Sequence, residues 1–139
     1  MVKSAGLAII YNKMILLTHP TGALWWSSYG IPKGWVEQGE DIYSTAIRET
    51  KEEVGIQIPS ELIDSQLHSF YYMKDNQAYK QIFYYVARIN TLDNIKLSGL
   101  VVPKSQLQLE EVDWAGFLNY DDAIKRILPL QNQLLNLIK

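Results

Sequence analysis

The chain has 139 residues, 47% hydrophobic and 12% aromatic, enough apolar material to close one core, so a single domain over 1–139 is expected. A net charge of −2 supplies no basic face for duplex nucleic acid or an anionic membrane. The absence of cysteine excludes disulfides, thiolate metal ligands and cysteine nucleophiles, and fits a cytoplasmic setting.

Ser4 to Tyr11 and Met14 to His19 are short runs rich in Ile and Leu, parted by Asn12-Lys13, and predict two strands and a tight turn. The first run is too short for a signal-peptide core, and no stretch nears the roughly 20 apolar residues of a membrane span. Pro20 to Ser28 is a loop by its Pro, Gly and Ser content, with Trp25 and Trp26 adjacent in it, one for burial and one for stacking on a base. Tyr29 to Val36 bends repeatedly at Gly30, Pro32 and Gly34. A helix follows from about Asp41 to Val54, its apolar side formed by Ile42, Ala46, Ile47, Thr50 and Val54, with Gly55 as a left-handed terminator.

Gln66 to Lys74 and Gln77 to Ile89 predict two aromatic-rich strands joined through Asp75-Asn76. Thr91 to Gln108 reads as a long, mostly polar loop, and Glu111 to Leu118 as another strand. Asn119 caps a helix from Tyr120 to Leu128 that ends at Pro129, and Leu130 to Ile138 is a final amphipathic helix with apolar positions 130, 134, 135 and 138. Strands, helix, strands, helix is an α+β order with a mixed sheet, not steady β-α alternation.

The informative segment is the first helix. Arg48, Glu49, Glu52 and Glu53 crowd six positions behind a glycine-containing turn. At about 100° per residue, the three carboxylates fall on one stripe. Like charges one turn apart repel, and a hard divalent cation such as Mg²⁺ relieves that repulsion through carboxylate and phosphate oxygens. His19 and His68 both lie in or beside apolar strands and read as structural or surface residues; no triad is evident.

Gly34, five residues, Glu40, seven residues, Arg48-Glu49, two residues, Glu52-Glu53, one residue, Gly55-Ile56: this spacing resembles the Nudix box of the Nudix hydrolases. Thr50 departs from the pattern, which has an aliphatic residue there; its methyl can pack inward while its hydroxyl bonds a carbonyl one turn back. The resemblance implies an α/β/α sandwich with a mixed sheet and Mg²⁺-dependent cleavage of a pyrophosphate bond in a nucleoside diphosphate derivative, with Mn²⁺ able to substitute. It makes Glu52 and Glu53 the main metal ligands, and Glu49 a third ligand or the group that orients water. The backbone carbonyl of Lys33 is a further ligand, and Glu110 or Glu111 completes the set. Arg48 fixes the glutamates, while Gly34, Glu40 and Gly55 shape the motif.

Pro32-Lys33-Gly34-Trp35-Val36-Glu37 and the strand carrying Lys80, Ile82, Tyr84 and Tyr85 resemble the asymmetric dinucleoside tetraphosphate hydrolases of that family. This implies Lys80 on phosphate, and Tyr84, Tyr85 or Trp26 on a base. Alternation places only Tyr84 on the face of Lys80 and Ile82. The alternatives are a hydrolase of nucleoside triphosphates, ADP-ribose or nucleotide sugars, and a non-catalytic nucleotide sensor. The partner expected is a small nucleotide. The natural substrate, the number of metal ions, the general base and the oligomeric state stay open.

Overall fold

The computed structural model describes residues 1–25 and 28–138. Its sheet is organised around β1 (Val2–Tyr11). Asn12 and Lys13 have φ of 48° and 61°, the left-handed pair that a two-residue hairpin needs, and turn the chain into β2 (Met14–Pro20). The short β3 (Lys33–Trp35) pairs antiparallel with the start of β1, through Ser4↔Trp35, Ala5↔Gly34 and Gly6↔Lys33. β4 (His68–Lys74) and β5 (Gln77–Ile89) form a second hairpin through Asp75 and Asn76, again with positive φ. β5 runs parallel to β1 along its whole length, from Val2↔Lys80 to Tyr11↔Ile89. β6 (Val112–Asn119) closes the order β4-β5-β1-β2-β6.

Alternation along β1 divides the core. Leu7 and Ile9 face α1 (Ile42–Val54), whereas Ala8 and Ile10 face α2 (Tyr120–Arg126) and α3 (Pro129–Ile138). Helices therefore cover both faces of a mixed sheet, the α/β/α sandwich expected. No helix among the described residues is long and apolar enough to cross a membrane.

Several bounds differ from expectation. β4 begins at His68 rather than Gln66. α2 ends at Arg126, and Pro129 opens α3 instead of following a longer α2; proline suits a first helical position, where its missing N–H costs no bond. The segment 91–108 is more than a polar loop. It contains two 3-10 turns, and its Ile95, Leu97, Val102 and Leu107 are buried in the core on the α1 side. Isolated apolar residues spaced along irregular backbone have no period to reveal them.

Candidate active site

α1 is locally well specified. The Asp41 side chain accepts the Ser44 N–H at 2.7 Å, which caps the first turn. Gly55 takes φ 67° and returns its N–H to the Lys51 carbonyl at 2.9 Å. Gln106 covers the end by donating Nε2 to the Val54 and Gly55 carbonyls. Thr45, Ala46, Thr50 and Val54 are the buried side of the helix, and the Thr50 hydroxyl donates to the Ala46 carbonyl at 2.8 Å. That burial turns Glu49 and Glu53 toward β3.

Arg48 is the hub of the corner between loop and helix. It donates Nε to Glu40 Oε2 at 2.7 Å and Nη2 to Glu40 Oε1 at 2.9 Å, a two-pronged pair. Nη1 donates to Glu49 at 2.9 Å and Glu52 at 3.1 Å, and Nη2 reaches the Trp35 carbonyl at 3.0 Å. Glu40 also accepts the Thr45 hydroxyl at 2.6 Å and the Glu37 N–H at 3.2 Å. The Arg48 guanidinium, with help from Thr45, lowers the Glu40 carboxyl to about 2. Glu40, foremost among its neighbours, holds the guanidinium well above its usual range.

Glu49 and Glu53 sit in the opposite condition. A side chain on Gly34 would collide with the Glu49 carboxylate, so glycine is required there by contact rather than by backbone angle. Burial raises the pKa of Glu49, against the pull of Arg48. Glu53 accepts the Lys33 N–H at 2.8 Å, yet burial pushes its carboxyl up to about 7, with Glu49 and Glu111 adding repulsion. A cleft of about 480 Å³ opens over these groups, lined by Lys33, Gly34, Glu49, Glu52, Glu53 and Glu111 among others. Among the described residues no three carboxylates converge into a preformed cation cage, since Glu49 and Glu52 are turned onto Arg48. The donor set is nevertheless all oxygen, and the half-buried Glu53 carboxylate, repelled by half-buried Glu49 and exposed Glu111, is the kind of charge a divalent cation compensates.

The approach to β3 is anchored from the far side of the sheet. Tyr29 N–H donates to the Arg126 carbonyl at 3.0 Å, and Leu128 N–H donates to the Tyr29 carbonyl at 3.0 Å. The fully buried Gln131 accepts the Ile31 N–H at 2.7 Å. His19, also fully buried, meets Asp113 at 2.6 Å and the Leu24 carbonyl at 3.0 Å and stacks on Trp25 at 4.0 Å between ring centres. Its role is to hold the loop 20–25, away from the carboxylates.

The expected substrate contacts divide. Glu111 lines the cleft, and Glu110 is exposed outside it. Tyr84 is fully buried under Gly6, Pro32 and Lys33, with no ring face open to a base; its expected stacking role is corrected. Strand alternation puts the partly buried Tyr85 on the α1 face, opposite to Lys80, with its ring edge-on to Tyr43 at 5.3 Å. Lys80 lies over the Tyr72 ring at 5.3 Å; burial, then the nearby Lys33 ammonium, lower its pKa. Trp26 lies outside the described residues. Sequence reading missed Trp35 and Gln108 in the cleft wall and Gln131 behind it. A glutamine on an otherwise apolar helix stripe was the available signal for the last. A second groove, about 520 Å³ between β4 and α3, is lined by Tyr71, Tyr72, Met73 and Leu128 to Leu130 and has no carboxylate for this chemistry.

Comparison with known proteins gives the family and the fold. The NUDIX domain family model matches residues 2–137. A Caenorhabditis elegans bis(5'-nucleosyl)-tetraphosphatase (asymmetrical) is 35% identical over 130 residues, covering 89% of this chain and 83% of that protein. The crystal structure of a C. elegans Ap4A hydrolase binary complex superposes with a TM-score of 0.69 at 28% identity, over 98% of this chain and 93% of that one. A MutT NUDIX hydrolase from Burkholderia pseudomallei reaches a TM-score of 0.74 at 21% identity, over 99% and 98%, and shares the fold.

Proposed function

The chain belongs to the Nudix family, and from that premise we propose that it is a Mg²⁺-dependent pyrophosphohydrolase of dinucleoside polyphosphates. The observation that carries the chemistry is the acidic cleft itself, in which Glu53, fixed by the Lys33 N–H at 2.8 Å, stands with Glu49, Glu52 and Glu111. Glu53, Glu52, Glu49, the Lys33 carbonyl and Glu111 are the groups assigned to hold the metal. A divalent cation there supplies neutralisation of phosphate charge and a lowered pKa for coordinated water.

The chain's own residues do the remaining work. Arg48 restrains Glu49 and Glu52 and is itself fixed by Glu40. Gly34 lets the Glu49 carboxylate lie against β3. Glu49, whose carboxylate lies against β3 in the cleft, is assigned to orient the attacking water. Lys80 and the Lys33 side chain, each close enough to perturb nearby charges, are assigned to the phosphate chain beyond the metal. The similarity to the C. elegans tetraphosphatase supports a tetraphosphate-bridged substrate, and the setting proposed is the cytoplasm, where such nucleotides are dissolved.

Incubation with Mg²⁺ and a panel of diadenosine tetraphosphate, ADP-ribose and nucleoside triphosphates, with products identified by mass, tests the reading. The expected result is unequal cleavage of the tetraphosphate into a nucleoside triphosphate and a monophosphate, abolished by chelator. Symmetric products, a preference for ADP-ribose, or turnover without any divalent ion would overturn it.

A further inference from the structure

Trp35 is 70% exposed, yet its backbone is among the most firmly held in the site. Its carbonyl accepts from Arg48, it pairs with Ser4 of β1, and the next residue, Val36, donates its N–H to the Lys3 carbonyl at 2.9 Å. A rigid mount carrying an open indole is a poor arrangement for packing and a good one for binding, since no backbone freedom remains to be lost when a partner arrives.

Its surroundings define the partner. Trp35 lines the acidic cleft and also a shallow cavity of about 340 Å³ bounded by Met1, Val2, Lys3 and Val36, so it stands at the border between the two. Met1 and Val2 are themselves 67% and 52% exposed. Residues directly opposite each other across strand pairs share a face. Trp35 opposite Ser4, Lys33 opposite Gly6 and Lys80 opposite Val2 therefore project to one side of the sheet, so the indole shares its face with two lysines. An apolar planar surface next to cations and a metal-holding cleft matches a nucleoside phosphate: the phosphates on the cations, the base on the indole.

We propose that Trp35 is a stacking platform for one nucleobase of the substrate, and so a specificity-determining residue. The inference rests on the dinucleotide reading above and extends it, because a substrate with two nucleosides needs a base surface on each side of its phosphate chain. Stacking holds ground state and transition state alike, so the residue acts on KM and leaves the chemical step alone.

The test compares wild type, Trp35→Ala and Trp35→Phe on diadenosine tetraphosphate, with inorganic tetraphosphate as a competitor that has the phosphate chain and no base. Trp35→Ala is expected to raise KM about tenfold with kcat within about twofold. The inhibition constant of inorganic tetraphosphate should stay put, and Trp35→Phe should recover most of the loss. An unchanged KM, or a parallel rise in the inhibition constant, overturns the proposal. A binding measurement separates its failure from that of the proposed function. In wild type, AMP is expected to quench tryptophan fluorescence and ribose 5-phosphate to leave it unchanged, the AMP response disappearing in Trp35→Phe whether or not any dinucleotide is hydrolysed. Equal AMP quenching in wild type and Trp35→Phe overturns the platform by itself.

Discussion

Lys33 stands between two regions that are held in contrasting ways. On one side its N–H is taken by Glu53, twenty residues along, and the surrounding network of Glu40, Arg48, Glu49 and Glu52 belongs to the same contiguous segment. On the other side, two residues upstream, the Ile31 N–H is taken by Gln131, one hundred residues away on the last helix. The first region is an acidic cluster that a single helix and turn bring together. The second is a backbone anchor that exists only once α3 has packed on the sheet. The contrast teaches that chemical groups can be concentrated locally while their aim is set by a distant element.

The largest expected effect breaks the local side. Glu53→Gln keeps the bond from Lys33 N–H but removes the buried charge, and kcat should fall at least about 10²-fold with the fold intact. Glu110→Gln, one residue before the cleft-lining Glu111 and outside the cleft, serves as control. Steady-state kinetics with matched circular dichroism measure both; equal losses in the two variants would contradict the assignment.

A smaller effect tests the distant side. Gln131→Met keeps approximate volume and removes the acceptor, leaving the buried Ile31 N–H unsatisfied at a cost of about 1–3 kcal/mol. Thermal melting should reveal that loss. If the anchor also aims Lys33, the Mg²⁺ concentration for half-maximal activity should rise about tenfold, as for groups that support a ligand from behind. Leu134→Ala, a cavity in the same helix, should destabilise without moving the metal midpoint. A midpoint that moves equally in both variants would reduce Gln131 to packing.

The smallest effect is in the pH dependence of stability, measured by melting in chelator. Glu53 has its pKa raised to about 7 in the fold from an ordinary 4.5, so the fold favours its protonated form. The associated stability is complete below about 4.5 and is lost as pH rises through about 7. Glu40 runs the other way: lowered to about 2, it contributes stability above 4.5 that is lost as pH falls toward 2. Without divalent ions the melting temperature should therefore decline from pH 5 to pH 8. Glu53→Gln should flatten that decline and leave the acid limb unchanged. A wild-type profile that climbs over that range would show that Glu53 is not held in a charge-disfavouring site.

By itself the sequence determined the α1 helix, its Gly55 terminator and the acidic stripe, because helical periodicity and helix termination act over a few residues and leave marks at fixed spacing. Both hairpin turns were legible for the same reason, through Asn12-Lys13 and Asp75-Asn76. The relation of Thr50 to Ala46 was readable because a hydroxyl one turn along a helix has one natural acceptor. What the tertiary structure decided depends on contacts between residues far apart in the chain. Alternation could separate Tyr84 from Tyr85 but could not say that Tyr84 would be fully buried beside Gly6, since that requires the neighbouring elements to close over it. That Glu111 and not Glu110 lines the cleft turned on where β6 begins relative to α1. Gln131 and Trp35 were read as neither anchor nor exposed platform, because burial and exposure are properties of how surfaces meet, and no local spacing encodes which surface a helix or a three-residue strand will find.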